Sequence, residues 1–192
     1  KGNGNYYYVD NQEEANKVLS QAIGGTLYTI AKDVKLQLDF NPQLVDSYRL
    51  IGYENRLLRQ QDFKNDAKDA GELGAGMSVT ALYEVIPKRN AALKTWASVH
   101  LRYKKPDEEK SISFSQKIDN QPIMLEKTSI DFRFAAAVAG WGQLLRHSKF
   151  KGDFNFQQIS ELALGAIGND PDGYRIAFVQ LVQQCLKWSA KK

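Results

Sequence analysis

The side chains that most often perform chemistry are few in this chain and do not form a catalytic motif. The two histidines, His100 and His147, show neither H-x-x-H nor H-E-x-x-H spacing, so a zinc site is not indicated. The chain contains no G-x-S-x-G sequence, and its one cysteine, Cys185, lies in an apolar helical pattern typical of an inert thiol. We therefore predict no catalytic, cofactor-binding or metal-binding residues.

A polar segment over residues 56–76 is the one place where the sequence suggests a cation site. Its acids are not spaced as D-x-D-x-D-G, the arrangement that places oxygens around calcium; they are Asp62, Asp66, Asp69 and Glu72. Gly71, Gly74 and Gly76 precede a predicted strand, so no helix N-terminus would face a bound phosphate. We favour a solvated loop and expect no specific Mg²⁺ or Ca²⁺ binding.

The three tryptophans could line a sugar-binding platform. Trp141 and Trp188 lie in predicted helices and Trp96 precedes a strand. Because tryptophan side chains more often fill protein cores, carbohydrate binding is the alternative function and not the first choice.

Composition and charge exclude several classes of protein. The chain has 192 residues and a net charge of +4, with basic residues interleaved among acids, so no basic stripe for nucleic acid is present. No run approaches the roughly 18 to 20 apolar residues of a membrane span. A single cysteine excludes an internal disulfide. The chain begins without Met, and we expect it to be part of a longer protein.

The fold is organised around residues 26–55, where Val34, Leu36, Leu38 and Phe40 alternate with polar residues. This period of two predicts a strand with one buried face. Asn41-Pro42 ends it, and a second apolar run over residues 48–53 follows within hairpin reach. We expect Leu36→Ala to cost about 2 to 5 kcal/mol and Lys35→Ala little.

Further strands are predicted along the chain. They cover residues 6–9, 78–86 (a central strand), 97–103 and 112–118 (a half-buried strand). In the strand 97–103, His100 faces away from the apolar set. An N-terminal helix begins after Asn11 and ends at Gly24. Strands that follow one another without helices indicate an antiparallel sandwich.

Three helices are predicted near the C-terminus. Thr128 and Asp131 form a capping pair for a helix over residues 130–145, which we expect to be the most buried element. The second helix covers residues 156–167. Asp170 caps the third, with Pro171 at its first position, and its predicted buried face comprises Tyr174, Phe178, Leu181, Val182 and Cys185.

The fold class is therefore α+β: an antiparallel β-sandwich followed by a three-helix C-terminal bundle, and preceded by a strand–helix remnant of an α/β domain. The predicted boundaries are 1–24 for the remnant, 25–127 for the sandwich and 128–192 for a helical region packed on it.

Several segments resemble bacterial von Willebrand factor type A proteins, which carry a C-terminal module of unassigned function. They are NGNYYYVDNQEEANKVL, GGTLYTIAKDVKLQLDFNP, YRLIGYENRLL, DAGELGAG and VTALYEV. The resemblance implies that residues 1–24 end the A domain and that the protein is in the cell envelope, where many members are lipid-anchored. The D-x-S-x-S run of the A domain's metal site is absent: Ser111, Ser113 and Ser115 lack the aspartate.

We therefore expect a non-enzymatic accessory module that mediates protein–protein interaction or envelope assembly. A carbohydrate-binding sandwich is the alternative, and a hydrolytic enzyme is third. The protein partner is not identified by the sequence. Residues 6–9 lack their predicted sheet, so we also expect self-association through this N-terminal strand.

Overall fold

The computed structural model describes residues 8–19, 28–52, 57–89, 95–119 and 121–189. The helices are α1 (Gln12–Lys17), α2 (Ile130–Leu145), α3 (Phe156–Leu164) and α4 (Tyr174–Ser189). The strands are β1 (Thr29–Phe40), β2 (Val45–Ile51), β3 (Gly71–Gly74), β4 (Leu82–Pro87), β5 (Ala97–Lys104) and β6 (Ile112–Ile118). Antiparallel sheets followed by three helices confirm the α+β class. The face-to-face sandwich stays a prediction.

The chain divides into two compact units. The first takes the described parts of Lys1–Arg49, Tyr53–Val79 and Val85–Asn120, and the second takes those of Leu50–Gly52, Thr80–Glu84 and Gln121–Lys192. The four-stranded sheet belongs to the first unit and the three C-terminal helices to the second. The predicted domain boundaries stay predictions.

The four-stranded sheet has the strand order β3-β1-β5-β6, and all its pairs are antiparallel. Directly opposed residues lie on the same face of the sheet. Successive rows of opposed residues therefore lie in turn on an apolar face and on a polar face. One row is Leu36, Leu101 and Phe114; the next is Gln37, His100 and Ser115. His100 therefore faces away from the apolar set, as predicted.

Strand β1 corrects the expected burial of Leu36 and Lys35. Lys35 is 3% exposed and Leu36 is 54% exposed, the reverse of the prediction. The alternation itself is present, but the polar face is covered by a loop. The register is irregular between Lys32 and Lys35, where Asp33 has φ 50°. Sequence period identifies two faces of a strand and does not say which one is covered.

Strands β1 and β2 are consecutive but do not form the expected hairpin. Strand β1 pairs with β3 and β5, whereas β2 pairs with β4 in a separate two-stranded sheet. The Asn41 turn explains this, because its N–H and side-chain amide donate to the carbonyls of Trp96 and Thr95 at 2.8 and 2.9 Å. These bonds direct β1 to the strand that follows residue 96.

Three other strand predictions need correction. Strand β4 begins at Leu82 and lies in the two-stranded sheet, so it is not central. Strand β3 occupies part of the segment that was predicted to be a loop. Strand β6 is exposed on both faces and not half-buried.

The predicted N-terminal elements fall partly outside the described residues. Asn11 caps α1, since its side chain accepts from the Glu14 N–H, as predicted. Of the predicted strand 6–9, only Tyr8 and Val9 are described; both are exposed and neither is in a strand. The predicted helix end at Gly24 lies outside the described residues.

The three C-terminal helices share one apolar cluster. Its buried members are Ala137, Ile159, Ala163, Val179 and Val182. Helix α3 is fixed by a capping box between Asn155 and Gln158. The Arg175 guanidinium donates to the carbonyls of Ala166 and Ile167 just beyond α3 and also binds Asp131. One side chain of α4 thus links α2 to the end of α3.

Helix α2 is buried along a stripe and not all round. Only Ala137, Gly140 and Gln143 are buried in it, and its N-cap is Ser129, not Thr128. Helix α3 ends at Leu164, before the predicted residue 167.

Helix α4 begins at Tyr174, after Pro171, because Gly173 adopts φ 73°. Asp170 still caps it, accepting from the N–H groups of Arg175 and Ile176. Tyr174 and Leu181 are exposed, and Val179 is buried in their place.

Ile159 should be essential to the helical unit, because it is fully buried and lies next to Gly140. We expect Ile159→Ala to lower the free energy of unfolding by about 2 to 5 kcal/mol. Leu164 of the same helix is 52% exposed, so Leu164→Ala is the matched control and should cost far less. Urea unfolding followed by circular dichroism checks this, and equal losses would contradict the packing.

Candidate functional site

The polar face of the four-stranded sheet carries a group of charged and hydrogen-bonding side chains of the first unit. Its register rows are Lys35, Arg102 and Ser113; then Gln37, His100 and Ser115; then Asp39, Ser98 and Lys117. Strands place these side chains on one surface because every second residue points the same way.

The loop 57–70 lies over this polar face and is held there by two lysines. Lys35 Nζ donates to the Asn65 carbonyl, and Lys104 Nζ donates to the Asp66 carbonyl at 2.9 Å. Lys35 and Lys104 are 3% and 6% exposed. Because a buried ammonium group needs hydrogen-bond acceptors, these carbonyls offset the cost of burying the two charges.

Asp66 adds a second set of bonds between the loop and the sheet. Its Oδ1 atom accepts from Arg102 Nη2 at 2.9 Å and from the Ser111 hydroxyl. Lys104 Nζ also lies 2.8 Å from Asp33 Oδ2, and Asp33 Oδ1 accepts from the Ala70 N–H. Asp33, at the irregular point of β1, thus provides the carboxylate that binds the Ala70 end of the loop.

These contacts shift the pKa values of the charged groups. Burial alone would raise the pKa of Asp33, but hydrogen bonds from Lys104 and the Ala70 N–H outweigh it and hold that pKa below the ordinary value. Hydrogen bonds from Ser111 and then Arg102 lower the pKa of Asp66. The hydrogen bond to Asp33 raises the pKa of Lys104. All three groups are therefore charged at neutral pH.

An open cleft of about 890 Å³ lies between the first part of the loop and the uncovered part of the polar face. The sheet contributes Gln37, Asp39 and His100; the loop contributes Arg59, Gln60, Gln61, Phe63 and Lys64. Within the described part of the chain, neither Arg59 nor Lys64 pairs with an acid. The cleft thus offers two available cations and several amide groups to a ligand.

Two neighbouring rows of the sheet bring a serine, a histidine and an aspartate into contact. His100 Nδ1 lies 2.6 Å from Ser115 Oγ, and His100 Nε2 lies 3.1 Å from Asp39 Oδ2. A histidine placed in this way can accept a proton from the hydroxyl group, which is the first requirement of a nucleophilic serine. A catalytic serine also needs donors aimed at a developing oxyanion. Ser115 is exposed on the outer strand β6.

The structure brings some of the candidate residues together and not others. Asp66 contacts basic side chains, and in the described residues no three His, Cys, Asp or Glu side chains come together as metal ligands. The prediction about Mg²⁺ and Ca²⁺ stays a prediction. Trp96 and Trp141 are half-buried and Trp188 is 65% exposed. His147 follows the end of α2, and Cys185 is half-buried.

Sequence reasoning missed the residues that matter most at this site. The alternation of β1 predicts a solvated Lys35, and no motif in the sequence points to Lys104, Arg59, Lys64 or Phe63. The polar alternation of β1 with the acids of residues 62–72 was the available signal, because a polar sheet face and an acidic loop can cover one another.

Comparison with known proteins identifies the family. Residues 25–187 match the family described as "Uncharacterized protein YfbK, C-terminal". The chain belongs to this family. It is 38% identical over 204 aligned residues to the "Uncharacterized protein YfbK" of Escherichia coli K12, an alignment that covers 95% of the chain. The alignment covers 34% of that relative, so the chain spans about a third of its length. No solved structure matches the chain.

Within its described residues, the chain has no helix that is long and apolar enough to cross a membrane.

Lys35 should hold the loop, and Leu36 should not. We expect Lys35→Met, which keeps the aliphatic stem, to cost about 1 to 3 kcal/mol because it leaves the Asn65 carbonyl without its donor. Leu36→Ala, at an exposed position, should cost less than about 1 kcal/mol. The rate of amide hydrogen exchange in residues 60–70 should rise in the Lys35→Met variant and stay unchanged in the Leu36→Ala variant. Faster exchange of residues 60–70 in the Leu36→Ala variant would contradict the conclusion that Lys35 holds the loop.

The stability of this chain in acid should depend on Asp66. A carboxylate whose pKa is lowered by folding stabilises the fold above its unfolded pKa of about 3.9, and this contribution disappears as the pH falls through the folded pKa. We expect Asp66→Asn to be less stable than the wild type at neutral pH, with the difference narrowing below about pH 4.

Urea unfolding across this range measures the difference. Asp172→Asn is the control, because Asp172 is exposed and makes no ion pair among the described residues. A stability difference for Asp66→Asn that stays constant with pH would contradict the charge-based account.

Proposed function

We propose that this chain is a non-catalytic accessory module of a bacterial von Willebrand factor type A protein, and that it binds a protein partner in the cell envelope. The observation that carries the proposal is the open polar cleft, with Arg59 and Lys64 available on a loop that is fixed to a sheet. Such a surface provides charge and hydrogen bonds for recognition on a rigid support.

Support for an accessory role comes from the length of the relative. Because the chain covers 34% of it, the whole protein has room for other domains. The resemblance of residues 3–19 to the end of an A domain supports the proposed attachment, and the envelope location follows from the same resemblance. The β-sandwich and the three-helix bundle remain part of this proposal.

The cleft chemistry favours a protein segment with acidic residues. Arg59 can bind a carboxylate through two parallel hydrogen bonds, and Lys64 adds a second positive charge. Asp39 is bound by His100 and by Gln37, and its single negative charge stands against two positive charges in the cleft. The residues Gln60 and Gln61 can bond the backbone of an extended segment.

A second candidate function, carbohydrate binding, is favoured by the amide side chains of the same cleft together with Phe63. Sugars are commonly bound by planar polar groups beside an aromatic ring. The Phe63 ring is half-buried and meets the His100 ring edge-on at 6.5 Å, so it does not offer an open flat face. Carbohydrate binding is therefore our second candidate.

In vivo photocrosslinking in the full-length protein tests the proposal. A photoreactive phenylalanine at Gln61, inside the cleft, should crosslink to one specific envelope protein. The same residue at Leu164, exposed on α3, should not. Arg59→Glu with Lys64→Glu should reduce the Gln61 crosslink by roughly tenfold or more, since both cations become acids.

Three outcomes would contradict the proposal. Binding to a defined sugar on a glycan array, lost in Gln37→Ala, would favour the second candidate. Covalent labelling of Ser115 by a fluorophosphonate, abolished in His100→Gln, would make the chain a hydrolase. If the yield of the Gln61 crosslink does not change in the Arg59→Glu, Lys64→Glu variant, the cleft is not the binding surface.

A further inference from the structure

Strand β6 forms an outer edge of the four-stranded sheet and lacks the usual protection of such an edge. It pairs with β5 on one side, and no described strand pairs with its other side. Its pairing with β5 is regular from Ile112 to Ile118, with no bulge and no proline. Proteins normally protect edges with bulges, prolines or several charges, and β6 contains only Lys117.

The backbone of β6 also shows an open edge. The Lys117 carbonyl accepts a hydrogen bond from the side chain of its neighbour Gln116 at 3.2 Å instead of one from a strand. Six of the seven residues of β6 are exposed. An exposed, regular edge of this length is a surface to which another strand can pair.

An apolar surface borders the same edge. The row of Leu36, Leu101 and Phe114 lies on one face, and both Leu36 and Phe114 are 54% exposed. Ile112, at the end of β6, is 36% exposed. A strand added at β6 would extend this face and cover part of its apolar area.

We propose that β6 pairs antiparallel with β6 of a second copy of this chain, which joins two sheets across a two-fold axis. With Ser115 opposite its own copy, Ile112 lies opposite Ile118 and Phe114 opposite Gln116 on the apolar side. On the polar side, Ser113 lies opposite Lys117. Each contact occurs twice, as a two-fold interface requires.

Charge and side-chain type make β6 complementary to itself in this register. Its only charged side chain, Lys117, meets a serine and not another lysine, so no like charges are directly opposed. Apolar residues meet apolar residues or the stem of Gln116. This pairing is distinct from association through residues 6–9.

Sedimentation equilibrium on the whole chain tests the interface. Ser113→Lys places a lysine opposite Lys117 of the partner in each of the two equivalent contacts, and the dimer dissociation constant should rise by roughly tenfold. Adding Lys117→Glu should restore dimerisation by creating two opposite-charge pairs. Positions 113 and 117 are about 13 Å apart along one strand, so the restoration cannot arise within a single chain.

Two controls complete the experiment. Gln184→Lys, on an exposed part of α4, adds the same charge and should leave the dimer intact. A chain lacking residues 1–10 should also remain dimeric. Circular dichroism shows that each variant is folded. A monomer at every concentration, a dimer unaffected by Ser113→Lys, or a dimer lost on removal of residues 1–10 would overturn the proposal.

Discussion

Two buried ammonium groups hold the loop 57–70 on the polar face of the four-stranded sheet. Lys35 and Lys104 rise from neighbouring strands and bind the carbonyls of consecutive loop residues, Asn65 and Asp66. An ammonium group that loses its water must find acceptors. Backbone carbonyls provide them here, and the Asp33 carboxylate is a further acceptor for Lys104. These bonds fix the position of the loop. The loop in turn covers half of the polar sheet face and forms one wall of the cleft.

This arrangement divides one sheet face into two parts with different properties. Near Lys35, Arg102 and Lys104 the polar residues are satisfied by the loop and serve stability. Near Gln37, Asp39 and His100 the same face remains open, and the loop adds Arg59 and Lys64. A ligand would therefore meet a surface whose support is already fixed, so that little ordering cost is paid on binding.

The sequence predicts elements well where one local rule applies. The strands at Ala97–Lys104 and Ile112–Ile118 follow from alternation, and α3 follows from its apolar spacing and the glycines beyond it. Caps at Asn11 and Asp170 follow from short polar side chains before helices. The prediction that His100 faces away from the apolar side chains of β5 was also correct, because it depends only on counting residues from Ala97.

The predictions that were wrong concern features set by contacts between residues far apart in the sequence. The covered side of β1 is set by a loop thirty residues later, so the local alternation predicts the wrong exposure for Lys35 and Leu36. The separation of β1 from β2 depends on bonds from Asn41 to residues beyond 94. The cleft joins two segments that no local pattern connects, and its residues could not be found by motif spacing.

The pairing of β1 with β5 has a consequence for biosynthesis. Phe40 pairs with Ala97 and Lys32 with Lys104, so the two ends of this ladder are separated by 57 and 72 residues of chain. Pairing over such separations is slow, because a long loop must close before any contact forms. While the ribosome is still adding those residues, β1 remains without its partner, and chaperones that bind extended apolar segments would find Leu36, Leu38 and Phe40 accessible.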